Sequence, residues 1–173
     1  MRGKFLLTAM ILAIMTCSLV SAAEVKIAYF DTERLRQEWG DWKDAQAKFD
    51  EDVQVWQQEA EKMEQEINQL MEDYQRQELM LSENKRIEKQ KVIQQKQLEY
   101  QEFLSKIFGQ GGEAEKRNAK LTKPLYDRIK EALATLANKY GYTAIFDVNG
   151  SGIAYVDPSL DITEELLSEL GKR

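Results

Sequence analysis

The sequence predicts an α+β protein in which a long antiparallel α-helical coiled-coil hairpin projects from a small β-rich body. Three observations carry this. From Asp41 to Phe108 the chain has neither glycine nor proline, and charged and glutamine residues dominate. Along the first part of that stretch apolar residues fall at Phe49, Val53, Trp56, Ala60, Met63, Ile67, Leu70 and Tyr74, alternating steps of four and three. That is a heptad seam rather than the wider stripe of a lone surface helix. Strand-like segments then flank the charged region on both sides.

At the start, MRGK precedes the mostly apolar run FLLTAMILAIMTCSLV and the small residues SAA. This pattern is that of a cleaved secretory signal peptide over 1–23. The run is shorter than the roughly 20 apolar residues of a spanning helix and is diluted by Thr8, Thr16 and Ser18. Thr16 before Cys17 also departs from the small residue expected of a lipoprotein. Cleavage would remove Cys17, the only cysteine, and the sequence has no histidine. The exported chain therefore forms no disulfide and must rely on its core or on self-association. Losing Arg2 and Lys4 leaves 22 of the 24 basic residues against 30 acids, a net charge of −8. Such an acidic chain does not suit nucleic acid, and no nucleic-acid partner is expected.

The body is expected from 24–40 and 122–173, and the arm from 41–121. The first strand is VKIAYF (Val25–Phe30). The return leg repeats every seven residues at Ile93, Tyr100, Ile107, Ala114 and Leu121, with Leu104 and Leu125 in the companion row. Gln90 and Gln97 make that row polar near its start. Residues 41–83 hold 13 acids and 4 bases, whereas 84–130 hold 6 acids and 12 bases. Antiparallel pairing thus sets an acidic leg beside a basic one and helps fix register. The midpoint between Phe30 and Tyr142 is residue 86, which places the tip near 82–86, beside LSENK with its turn- and cap-forming Ser82 and Asn84.

A helix over LYDRIKEALATLANKYG stops at Gly141. YTAIF (Tyr142–Phe146) and IAYV (Ile153–Val156) flank DVNGSG, whose Asn149-Gly150 is a β-hairpin signal. Asp161 and Glu164 form a capping pair for the final helix, ITEELLSEL. Three short strands leave open edges and apolar faces at Val25, Ile27, Tyr29, Ile145 and Ile153, which self-association would cover.

Gly109, Gly111 and Gly112 stand out against this background. In a helix they would cost roughly 3 kcal/mol in propensity. A hairpin turn there would pair a first leg of 68 residues (41–108) with a return of about 28, stranding most of the seam. They interrupt the return leg instead. A hinge or kink that keeps the supercoil phase is the favoured reading, and a plain loop is the alternative.

Catalysis finds little support. Without histidine and cysteine the usual general base, thiol nucleophile and commonest zinc ligands are missing, and there is no phosphate loop or nucleophile elbow. NGSG lacks a base partner and reads as a turn. Asp157 and Asp161 could bind calcium, but capping explains them more simply. No enzyme activity, cofactor or metal is expected.

Four stretches in this order, KIAYFDTERL, the charged hairpin, NKYGYTAIFD and AYVDPSLDIT, resemble the Skp/OmpH family of periplasmic chaperones over essentially the whole mature chain. The resemblance implies a homotrimer whose strands assemble into a trimerisation body and whose arms surround a cavity. It also implies a periplasmic holdase that binds unfolded outer-membrane β-barrel proteins without ATP. Arm-tip contacts with such clients are then expected from Lys85, Arg86, Lys89 and Lys91 beside Leu79, Met80 and Leu81. Well-known members are basic and this chain is acidic, which bears on capture of acidic clients and on contact with membrane lipid or lipopolysaccharide. A structural coiled-coil scaffold of the envelope is the alternative function.

Overall fold

A computed structural model of the chain describes residues 25–150 and 152–172. The expected signal peptide lies outside the described residues. Strand β1 (Ile27–Phe30) alternates as its sequence does: Ala28 and Phe30 point into the core, while Ile27 is exposed. Asp31 ends the strand and starts helix α1 (Thr32–Glu38), its carboxylate accepting the Glu33 and Arg34 N–H groups at 2.9 and 3.0 Å. Trp39, in extended conformation, breaks the helix before α2 (Gly40–Gln77). With 38 residues, α2 runs about 57 Å at 1.5 Å per residue.

A short 3-10 turn, Glu78–Met80, leads to α3 (Glu83–Phe108). The tip is therefore at 78–82, slightly earlier than the sequence symmetry places it. Ser82 is extended and serves as the N-cap position of α3, so Asn84 lies within the helix rather than in the turn. After residues 109–112 comes α4 (Glu113–Tyr140), which ends at Gly141 with φ +75°. That left-handed cap is the conformation for which a glycine is needed. Strand β2 (Ala144–Asp147), a 3-10 turn (Pro158–Leu160) and α5 (Thr163–Leu170) complete the chain.

The sheet differs from expectation. β1 and β2 pair in parallel, Ile27 opposite Ala144 through Phe30 opposite Asp147, and they form a two-stranded sheet among the described residues. The other side of β1 is met not by a strand but by Ile162, whose N–H donates to the Tyr29 carbonyl at 2.9 Å. Residues 153–156 form no strand, so the expected hairpin at Asn149-Gly150 is absent. Its signal residue is used elsewhere: the Asn149 amide donates to the Asp31 carboxylate at 2.5 Å, tying the chain after β2 back to the α1 cap.

The core lies where α1, the far half of α4, α5 and the inner face of the sheet meet. Leu35, Leu136 and Leu166 are essentially inaccessible there, alongside Phe30, Trp39, Ile129, Ile162 and Leu170. Each such leucine contributes about 1.5–3 kcal/mol through burial. Truncating Leu166 to alanine would cost about 2–5 kcal/mol. Thr163, the one buried polar side chain among the described residues, accepts from the Asp31 N–H at 2.9 Å and donates to Asp161 at 2.5 Å. Asp161 also accepts the Thr163 N–H at 2.8 Å, but Ile162 holds the N-cap position of α5 and makes no side-chain cap bond, so Asp161 sits one residue ahead of the cap expected of it. Glu164, expected to complete a capping box, instead pairs with Arg34.

Candidate functional site: the arm and the open face of the body

At the arm's root Trp42 is buried edge-on against Tyr126, with ring centroids 5.4 Å apart. Arg128 of α4 stacks 4.9 Å over Trp39, pairs with Asp41 of α2, and donates to the Leu170 carbonyl at 2.8 Å. One side chain therefore joins arm, body and last helix. Farther out, Arg117 pairs with Asp52 at 2.5 Å and Lys96 with Glu66 at 2.9 Å. In these three cross-leg pairs the acid is always on α2 and the base on the return leg, as the charge asymmetry leads one to expect. The Glu66 carboxylate raises the Lys96 ammonium above its ordinary value chiefly by hydrogen bonding. Exposed pairs of this kind each contribute at most about 1 kcal/mol and serve register more than stability.

The apolar seam supplies the rest. Ile67 and Ile107 are buried within it, and Trp56 meets Phe108 edge-on at 6.2 Å. Toward the tip the seam turns polar. Gln97 lies 3.9 Å from the Met71 sulfur, and Gln90 donates to the Tyr74 hydroxyl at 2.8 Å. Tyr74 in turn donates to Glu78 at 3.1 Å. Burial first, and Glu78 second, raise the Tyr74 phenol above its ordinary value.

The three glycines form the join between α3 and α4. Gly111 has φ +69°, and its N–H donates to the Glu115 carboxylate at 2.8 Å. A Cβ on Gly112 would lie 2.5 Å from the Ile107 carbonyl oxygen, and one on Gly109 would strike that of Ser105. α2 continues unbroken opposite them. Ile107, Ala114 and Leu121 all remain at least partly covered on either side of the break.

At the tip Leu79 and Met80 are 97% and 83% exposed, whereas Leu81 is half-buried. Lys85 and Arg86 pair locally with Glu88 and Glu83 at 2.6 and 2.7 Å, so two of the four basic tip residues carry a nearby counter-charge. Lys89 and Lys91 lie in the next turn of α3, half-buried and exposed respectively. The structure thus brings all seven expected tip residues together within the turn and the start of α3.

On the body, Val25, Ile27 and Ile153 are exposed and Tyr29 is half-buried. Ile145 sits elsewhere: its register partner is Ala28, and it packs on the core. The alternation places Phe146, opposite Tyr29, on the outer face in its stead. Phe146 is 44% exposed and Tyr155 82%. Sequence reasoning missed both, although strict period-two counting from Tyr29 through the parallel register would have found Phe146 once β2 was paired.

The family of outer membrane proteins described as OmpH-like matches residues 26–170, nearly all of the body and arm. The chain belongs to this OmpH-like family. The fold agrees with a crystal structure of an OmpH-like protein from Caulobacter crescentus CB15, named there as a candidate outer membrane chaperone. The TM-score is 0.70 at 14% identity, covering 86% of this chain and 85% of that one. A comparison with curated proteins finds no match. In this OmpH-like chain the described residues hold no helix long and apolar enough to cross a membrane. Its chemistry is that of surfaces: an apolar tip beside basic residues, a partly polar seam, and an outward sheet face of large apolar side chains.

Proposed function

We propose that this OmpH-like protein is a periplasmic, ATP-independent holdase that binds unfolded outer-membrane β-barrel proteins and keeps them from aggregating. The observation that carries the reading is the arm itself: about 57 Å of two-helix hairpin ending in the almost fully exposed Leu79 and Met80. Apolar groups held so far from the body's core contribute nothing to folding and suit contact with another chain. Family membership and the likeness to the Caulobacter protein support the same assignment. The working unit is a homotrimer whose arms enclose the client. The outward Ile27, Phe146 and Tyr155, with the open outer edge of β2, supply the surface for joining copies. The arms bend at the glycine break, because only α2 resists bending there. The basic residues of the tip face acidic client segments, and contact with membrane lipid or lipopolysaccharide is confined to them.

The test is aggregation of an unfolded outer-membrane β-barrel diluted from urea, with sedimentation to give the chaperone's state. Suppression at one trimer per client, without nucleotide, is expected. A folded monomer, or aggregation unchanged at excess protein, would overturn the proposal. A passive scaffold is the weaker reading, since Gln90 and Gln97 soften a seam that a spacer would keep apolar.

A further inference from the structure

The distal seam contains an unfilled space. Where a heptad knob would close the interface, Gln90 turns to the Tyr74 hydroxyl, and an open groove of about 520 Å³ remains between α2 and α3. That volume lies within the usual range of ligand pockets, about 300–1,000 Å³. Half-buried Tyr74 and Ile93 form its floor together with the Met71 thioether. Exposed Gln75 and Gln94 stand at its rim, and Glu78 closes the end nearest the tip.

We propose that this groove is a binding site for single aromatic side chains that carry a polar tip, tyrosine above all, presented by unfolded polypeptide. The complementarity is chemical. An aromatic ring finds a methionine sulfur, a tyrosine ring and an isoleucine, all adaptable apolar partners. Its hydroxyl finds amides that both donate and accept, and a carboxylate that accepts. A purely aliphatic side chain brings no polar group to those amides and that carboxylate, and so gains only the apolar contact. The biological occupant rests on the holdase reading: transmembrane β-barrels carry girdles of aromatic residues, so unfolded barrels are rich in this ligand. The groove is also the place where the seam gives up apolar character, since position 90 carries glutamine in a row where a coiled coil takes leucine.

The experiment uses the full mature protein, methyl-labelled at Met and Ile, titrated with N-acetyl-tyrosinamide and, separately, N-acetyl-leucinamide. Tyrosinamide is expected to shift the Met71 and Ile93 methyl signals saturably, and leucinamide at least about fivefold less. Gln90→Leu should raise the arm's melting temperature while abolishing the tyrosinamide shifts. Equal response to both amides, no response, or tyrosinamide binding retained in Gln90→Leu would each overturn the proposal. These readouts use no client, so the groove and the holdase reading can fail separately. In the aggregation assay, a wild-type protein that protects clients and a Gln90→Leu variant that protects them equally would sever the groove from the holdase.

Discussion

Arg117 and Asp52 meet at 2.5 Å, although the neighbouring contact toward the tip joins Phe108 to Trp56. Between these two contacts α2 retreats four residues while the return leg advances nine. The glycine join therefore takes up five residues without breaking the pairing, and Arg117–Asp52 is the first charged clasp on its body side. A double-mutant cycle with Asp52→Asn and Arg117→Gln should give a coupling of about 0.5–1 kcal/mol at low salt, because both side chains remain about a third exposed. In 1 M salt it should shrink toward zero, as measured by urea unfolding of the arm.

Gly111→Ala should destabilise the arm by more than about 1 kcal/mol, because alanine must then adopt φ +69°. Gly112→Ala should do at least as much through collision with the Ile107 carbonyl. Circular dichroism melts of the two variants check this. A rise in melting temperature for either would mean that the join is helical in solution.

The tip should separate stability from capture. Leu79→Ser with Met80→Ser removes side chains that are almost wholly exposed, so unfolding should change by no more than about 0.5 kcal/mol. Capture of an unfolded barrel protein should slow severalfold. Reversing Lys85, Arg86, Lys89 and Lys91 to glutamate should slow it most at low ionic strength. Stopped-flow fluorescence of a labelled client reads both effects.

Much of this architecture is legible in the sequence, and the parts that are not share one cause. The four-three steps from Phe49 to Tyr74 reveal the seam because coiled-coil periodicity is local. Gly141 announces its cap for the same reason. Asn149-Gly150 misleads because its hairpin would be a local structure, whereas Asn149 is claimed by Asp31, 118 residues away. Ile145 is misplaced likewise: which face it takes depends on pairing with β1, not on its own neighbours. At the arm's tip the polarity of Gln90 is plain from sequence, but the groove it leaves depends on how α3 sits against α2.

Acid should loosen the body. Backbone N–H groups at the start of α1, that of Arg34 foremost, hold the Asp31 carboxyl below its ordinary value, and the Ser159 N–H does the same for Asp157. A lowered folded-state pKa gives stability that is complete above the unfolded value, about 3.9. That stability fades as pH falls through the folded one. The melting temperature should thus hold from pH 7 to about 5 and drop below about 4. In Asp31→Ala, which loses about 1 kcal/mol through the missing cap, the drop should be shallower.

The Lys26 carbonyl accepts from the Thr143 N–H at 2.7 Å, closing a separation of 117 residues. The parallel strand pair of the body therefore has a folding history. β1 emerges first during synthesis and waits, unpaired, for a partner that emerges near the end. Unaided closure of so long a loop is entropically slow. The arm shortens the search. Tyr74 and Gln90 are only 16 residues apart, so zipping can start at the tip and run toward the body, delivering β1 and β2 to each other as the last turns close. The expected order of events runs from the far end of the arm inward. A lesion near the tip that leaves the finished protein's stability intact should still delay the moment at which β1 and β2 pair.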